Sequence, residues 1–195
     1  MPRRPREFVD GGLYHVFNRG NNRGNLFLTA GDFAYFLKLI TLGKEKHSIL
    51  IFHYCLMTNH FHFLLQSEKK EGLSAFMHWL QLAYARYFKK IYQTTGHIFE
   101  ERFRSPRIDR ESYYLQCGRY IEQNPVKANM VAKPWEYSYS SALYYVEGTE
   151  QDIVTPNPYY LEMGVNDYER KENYKTFLSL QEPYASMIDA ELEIY

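Results

Sequence analysis

His60 and His62 flank one phenylalanine in His60-Phe61-His62-Phe63, and farther along the chain Tyr120 and Asn124 stand four residues apart in Tyr120-Ile121-Glu122-Gln123-Asn124. On a β-strand the side-chain period of two puts both imidazoles on one face and both phenylalanines on the other. Two histidines so placed can share one metal ion while Phe61 and Phe63 anchor the strand in a core. The ordinary alternative is a pair of surface histidines beside a turn. Residues four apart on a helix project from one face, so Tyr120 and Asn124 point a phenol and an amide the same way. If that helix lies against the open face of the sheet, Asn124 supplies a neutral oxygen ligand and Tyr120 stands beside the ion. A divalent cation such as Mg²⁺ or Mn²⁺, held by nitrogen and oxygen with positions left open, can polarise a phosphodiester. Tyr120 would then be the nucleophile.

Two features weigh against a simple shared face. Pro125 lacks an N–H and disfavours the α conformation at Asn124, so the helix is expected to end or kink there. Tyr113 and Tyr114 are rival nucleophiles, and in a chain with 19 tyrosines a structural role is the default for each of them. The pairing with Asn124 selects Tyr120.

These residues need a scaffold, and hydrophobic period supplies its outline. Residues 13–17 read as a short strand, followed by the turn-rich loop Asn18-Arg19-Gly20-Asn21-Asn22-Arg23-Gly24. Thr29 with Asp32 three residues on is a helix-start signal, and Phe33, Phe36, Leu37 and Ile40 recur at helical spacing to about Lys46. Residues 49–57 and 60–66, joined by Thr58-Asn59, read as a hairpin. Leu73, Phe76, Met77, Leu80, Tyr84, Tyr87, Phe88 and Ile91 mark one apolar face of a long helix. Residues 97–108 look extended, and Glu111 opens the helix that carries Tyr120. The first six elements give an α+β, ferredoxin-like βαββαβ order: an antiparallel sheet with helices on one face, to which the nucleophile-bearing helix is added. After Trp135 the pattern weakens to a short helix following Ser138-Tyr139-Ser140-Ser141, a break at Thr155-Pro156-Asn157-Pro158, and a last helix over residues 168–180.

Composition bounds the partners. At 195 residues with 45% apolar and 17% aromatic residues, the chain can bury one main core. The net charge of zero hides an asymmetry: residues 1–135 hold 20 Lys and Arg against 11 Asp and Glu, and residues 136–195 hold 3 against 12, giving +9 and −9. A basic body attracts a polyanion by releasing counterions, and an acidic tail can shield it. Two ordinary solvated faces are the plainer explanation. Cys55 and Cys117 have no metal-site or disulfide-framework spacing, which fits a reducing cytoplasm. The basic start Met1-Pro2-Arg3-Arg4-Pro5-Arg6-Glu7-Phe8 is followed by no apolar run, so neither export nor a membrane span is expected.

Four segments in order carry a family resemblance. They are Gly12-Leu13-Tyr14-His15-Val16-Phe17-Asn18-Arg19-Gly20, then Tyr54-Cys55-Leu56-Met57-Thr58-Asn59-His60-Phe61-His62, then Gly96-His97-Ile98-Phe99 with Arg102-Phe103-Arg104-Ser105, and finally Arg119-Tyr120-Ile121-Glu122-Gln123-Asn124-Pro125-Val126-Lys127-Ala128. Together they resemble the single-tyrosine transposases of the histidine–hydrophobic–histidine (HUH) superfamily, most of all the REP-associated tyrosine transposases, a domesticated bacterial branch. The resemblance spans roughly residues 1–145. It places the family's histidine pair on His60 and His62, its nucleophile on Tyr120 and its polar third ligand on Asn124, where mobile relatives typically have glutamine. Thr58 stands where proline is usual and Asn129 where glycine is usual, and asparagine tolerates the left-handed backbone glycine would supply. Residues 146–195 match nothing and are expected to form an acidic helical extension packed on the domain.

The resemblance implies a Mg²⁺- or Mn²⁺-dependent endonuclease and strand transferase acting on single-stranded DNA at hairpin-forming repeats. Tyr120 would form a 5′-phosphotyrosine link and release a 3′-OH; the chain has no phosphate-binding GxxxxGK[ST] motif, and such a transfer needs no nucleotide hydrolysis. Arg19, Arg23, Arg102, Arg104, Arg107 and Lys127 are expected to form a track for the strand and hairpin, unless the cluster Arg102, Arg104 and Arg107 pairs with Glu100, Glu101, Asp109 and Glu111. A monomer or homodimer in the cytoplasm, associated with the nucleoid, is the expected setting. The alternative is a catalytically idle nucleic-acid-binding module on the same fold, using its sheet and aromatics as a stacking platform. Rolling-circle replication and conjugation enzymes share the histidine pair, but their additional regions do not fit in this chain.

Overall fold

A computed structural model describes residues 7–109 and 112–180. Three antiparallel strands, β1 (Gly12–Arg19), β2 (Ile49–Leu56) and β3 (His60–Ser67), form a sheet in the order β1-β3-β2. Helix α1 (Ala30–His47) precedes β2, and α2 (Gly72–Tyr92) follows β3. The start of α1 is fixed as expected: the Asp32 carboxylate reaches back to accept from the Thr29 N–H at 2.8 Å.

Strand alternation divides the side chains between two cores. Tyr14 and Val16 of β1, Phe61, Phe63 and Leu65 of β3, and Ile51, Tyr54 and Leu56 of β2 are buried with Phe36 and Ile40 of α1 and Phe76, Met77, Leu80 and Tyr84 of α2. Ile91, which continues the apolar spacing of α2, is 53% exposed, so the buried face stops at Phe88. The opposite sheet face offers Leu13, Phe17, Leu64 and Cys55 to α3 (Ser112–Lys127), which packs across β2 and β3 and buries Cys117, Tyr120 and Ile121. Eight consecutive β1–β3 pairs, from Gly12–Ser67 to Arg19–His60, set a register that puts Phe17 opposite His62.

Three expectations need correction or placing. Residues 97–108 do not form a regular fourth strand; they run along the outer edge of β1 and meet it at isolated pairs, Gly20 with Phe99, Phe17 with Arg104 and Tyr14 with Arg107. Between the first two pairs the register slips, because five steps along this segment oppose three along β1, and Pro106 has no N–H to give to a ladder. The surplus residues, Glu101 and Arg102, are exposed, with the Asn18 amide donating to the Glu101 carbonyl at 2.9 Å. Pro125 does not end α3, which continues to Lys127. Glu111, the expected start of that helix, lies outside the described residues.

The C-terminal region adds α4 (Ala142–Glu147), α5 (Pro158–Leu161) and α6 (Asp167–Ser179). Tyr145, Tyr160, Tyr174 and Leu178 from these helices are buried. Among the described residues no helix is long and apolar enough to cross a membrane.

Candidate active site

On the α3 side of the sheet, β3 presents His60 and His62 side by side, their ring centroids 5.1 Å apart. The next turn of backbone explains their tautomers. Asn59 donates through its amide nitrogen to the Arg23 carbonyl at 3.3 Å, so its oxygen accepts from His60 Nδ1 at 2.7 Å. His62 Nδ1 lies 3.0 Å from Nε2 of His15 on β1. In both rings the remaining nitrogen, Nε2, is buried and has no hydrogen-bond partner. Buried nitrogens left in this state are expensive unless something binds them.

Burial also keeps these imidazoles neutral. It lowers His15 to about 3 and His60 to about 4, with Arg19 adding repulsion at His60 and a contact from Asn124 partly opposing it. His62 is held well below the ordinary value by burial, and by His60, His15 and Lys127 around it. Neutral imidazoles offer lone pairs, as metal ligands must.

Asn124 completes the group through the proline that was expected to disrupt it. In a regular helix the N–H of residue 125 would serve the Ile121 carbonyl; Pro125 has none. The Asn124 side-chain nitrogen instead donates to the Tyr120 carbonyl at 2.9 Å and to the Ile121 carbonyl at 3.3 Å. With its nitrogen committed to the backbone, the amide leaves its oxygen for the site. After this repair the chain leaves the helix through Asn129, whose φ of 55° is the left-handed conformation usual for glycine there.

A cavity of about 580 Å³ opens over these groups. His60, His62 and Asn124 line it, together with Asn18, Asn59, Arg19, Arg23, Glu100, Glu101, Arg102, Arg104 and Lys127. The Asn18–Gly24 loop can bend into its wall because Gly20 packs against the Gly24 carbonyl, where a Cβ would lie 2.0 Å from the oxygen. Arg107 is not part of the lining and pairs with Asp109 at 2.6 Å. Arg19 lines the cavity but gives its guanidinium to Glu100.

Tyr120, expected beside the ion, packs against His62 rather than in the cavity lining. It is 1% exposed and absent from the lining. Its ring stands edge-on to His15 and His62, with centroids 5.8 and 6.0 Å away, and the Lys127 ammonium sits 4.2 Å over it. Tyr114 packs against Tyr159, and neither it nor Tyr113 lines the cavity.

The family model for IS200-like transposases matches residues 9–124, a span that opens just before β1 and closes on Asn124. The chain belongs to the IS200-like transposase family. A solved REP-associated tyrosine transposase bound to a REP hairpin shares the fold, with 19% identity and a TM-score of 0.64 over 80% of this chain and 93% of that one. A Deinococcus radiodurans R1 protein described as a transposase is 18% identical, with a TM-score of 0.42 over 63% of this chain and 97% of that one. No curated protein matches the sequence.

Within this transposase fold, sequence reading missed His15, although it lies in one of the quoted segments. Its signal was parity: Leu13, His15 and Phe17 share the strand face that pairs with His62. Glu122 was likewise passed over inside the Tyr120 segment, and Asn18 and Asn59 were read only as turn formers.

Proposed function

We propose that this transposase cleaves and rejoins single-stranded DNA through Tyr120, with a Mg²⁺ or Mn²⁺ ion held by His60, His62 and Asn124. The observation that carries this reading is the pair of buried, unpartnered Nε2 atoms on His60 and His62, which face the same cavity as the amide of Asn124. Among the described residues no three His, Cys, Asp or Glu side chains converge into a metal cage, so the donor set is two imidazoles and an amide, with other positions left to water or phosphate. That neutral set suits a cation whose charge is meant for the substrate. When bound, the ion would polarise the scissile phosphodiester and stabilise charge developing on it.

The remaining steps fall to the chain's own residues. Arg23, Arg102 and Arg104 at the cavity wall hold phosphates of the strand, and Glu100 and Glu101 keep the wall from being uniformly basic. A phosphate entering the cavity competes with the Tyr120 ring for the Lys127 ammonium and so draws that cover away. The phenol oxygen bonds to phosphorus as the bond to the 3′ oxygen breaks; the phenol proton passes to solvent water and the leaving 3′ oxygen takes one up from water. The reverse reaction with another 3′-OH rejoins the strand. Hairpin-forming repeats are the proposed target, since the solved protein that shares the fold is bound to a REP hairpin.

The idle binding module keeps one observation in its favour, the burial of Tyr120. A gel assay for Mn²⁺-dependent covalent attachment to a labelled hairpin-bearing single strand separates the two. Wild type is expected to form the adduct, and Tyr120→Phe to lose it while binding DNA as before, since only one oxygen is removed. Tight binding without any adduct would favour the idle module; an undiminished adduct in Tyr120→Phe would move the nucleophile to Tyr113 or Tyr114.

A further inference from the structure

Glu122 lies two residues from Tyr120 on α3, has no exposed surface, and takes no part in the chemistry above. A carboxylate so buried persists only where donors satisfy it. Three do. His53 Nδ1 lies 2.9 Å from Oε1, the Ser141 hydroxyl donates to the same oxygen at 2.5 Å, and the Tyr174 hydroxyl donates to Oε2 at 2.7 Å.

Each donor is itself fixed. The β2–β3 register shifts between Ile51 and His53, and this bulge lets both Phe52 and His53 face α3. Asn157 accepts from the Tyr159 N–H at 3.0 Å through its oxygen, so its nitrogen is the group 2.9 Å from His53 Nε2. His53 therefore carries its proton on Nδ1 and donates it to Glu122. Ser141 also accepts from the Tyr54 N–H at 2.9 Å. Gly118, one turn before Glu122, makes room for the arrangement: a Cβ there would lie 2.6 Å from His53 Nε2.

The network joins α3 to β2, to the turn before α4, to the start of α5 and to α6. Ser141, Asn157 and Tyr174 all lie beyond the span matched to the transposase family, residues 9–124. The same region grips α3 again where Gln123 donates to the Leu178 and Leu180 carbonyls at 2.8 and 2.9 Å and where the Arg119 guanidinium lies 4.4 Å over the Phe177 ring. Two residues along a helix turn the side chain to roughly the opposite flank. One flank of α3 thus sets Tyr120 and Asn124 against β3, and the other is pinned by Glu122.

We propose that Glu122 is a positioning residue: through His53, Ser141 and Tyr174 it fixes the rotation and height of α3, and thereby the distance of Tyr120 and Asn124 from His60 and His62. The C-terminal region is then part of the active-site scaffold. This rests on Tyr120 as nucleophile for its catalytic consequence, though not for the placement of Asn124.

Tyr174→Phe removes one hydroxyl from the network and leaves the ring packed. The expected result is a fall of about tenfold or more in the single-turnover rate of adduct formation at saturating hairpin DNA and Mn²⁺, the scale of effect that small misplacements have on reacting groups. DNA affinity is expected to hold. Calorimetric Mn²⁺ affinity is expected to fall as Asn124 shifts, and hydrogen exchange over residues 113–127 to rise. Glu122→Gln, whose amide oxygen can still accept from His53 and Ser141, is expected to retain most of the rate. A purely structural Glu122 would lower Tm in Tyr174→Phe and leave the rate at saturation and the metal affinity untouched; that result overturns the proposal. If wild type forms no adduct, the nucleophile reading fails separately. Unchanged Mn²⁺ affinity and unchanged exchange in Tyr174→Phe would then still overturn the positioning role.

Discussion

His15 Nε2 and His62 Nδ1 stand 3.0 Å apart across the β1–β3 pair, both rings buried. Burial makes His15 neutral, so its Nε2 can accept the His62 Nδ1 proton and leave the His62 lone pair on Nε2. That is the nitrogen with no other partner. A hydrogen bond of this kind sets both the tautomer and the orientation of a metal-binding histidine. His15→Phe keeps a ring in the core but removes the acceptor, and Mn²⁺ affinity is expected to drop by about 10- to 100-fold, the usual range for such partners. The double variant His60→Ala, His62→Ala should abolish binding. Titration calorimetry on the three proteins checks the order; equal affinity in wild type and His15→Phe would remove His15 from the site.

The same three histidines make stability of the metal-free protein depend on pH. Folding holds His15 at about 3 and His60 at about 4, and His62 well below its ordinary value, whereas in the unfolded chain each returns to about 6.5. The folded pKa values are depressed, so between them and pH 6.5 the unfolded chain binds more protons, and stability falls as pH falls. Above pH 6.5 the contribution is fully present. Each histidine is expected to remove about 1.4 kcal/mol per pH unit once pH is well below 6.5. Urea unfolding of metal-free protein from pH 7 to about pH 5 should show this slope, and His15→Phe should reduce it by one proton. A flat profile would mean that these histidines are not buried as neutral rings.

How much of this could be read from the chain depends on where each constraint lies. The histidine pair, the α1 start at Thr29 and Asp32, and the apolar face of α2 are local patterns, and their periods survive into the fold. The extended segment after Gly96 was readable as extended but not as irregular, because its two-residue surplus exists only relative to β1. Pro125 misled for the reverse reason. Its missing donor was visible, but the repair by the Asn124 side chain depends on a rotamer. His53, Glu122 and Tyr174 are scattered through the sequence with no common spacing, so only the packing of α6 on α3 brings them together. The burial of Tyr120 under Lys127 is equally a tertiary fact, since the two are seven residues apart on one helix and helical period places them near each other without saying which covers which.

The arginines give the sharpest test of the DNA path, because the fold divides a set that the sequence treated as one. Arg23, Arg102, Arg104 and Lys127 line the cavity, Arg19 lines it while bound to Glu100, and Arg107 stands outside it in a pair with Asp109. Contacts to phosphate set position and carry no sequence information, so losing one weakens binding to most DNAs alike and flattens the salt dependence by about one unit of log–log slope. Arg102→Glu and Arg104→Glu are each expected to show that loss on a hairpin-bearing strand. Arg107→Glu should leave the slope as it is, because its guanidinium is already neutralised and lies off the cavity. Glu100→Gln should act in the opposite sense by releasing Arg19, raising affinity at low salt and steepening the slope. The Arg107–Asp109 pair is exposed and exposed pairs contribute little to stability, so Arg107→Glu should change folding by no more than about 1 kcal/mol, and urea unfolding of each variant establishes that binding is compared on folded protein. The measurement is salt-titrated binding of all four proteins and wild type to a hairpin strand and to an unstructured strand of equal length. Slopes unchanged in Arg102→Glu and Arg104→Glu would take the strand out of this cavity. Equal wild-type affinity for the two strands would remove hairpin recognition while leaving the nuclease site of His60, His62, Asn124 and Tyr120 to be judged by its own assay.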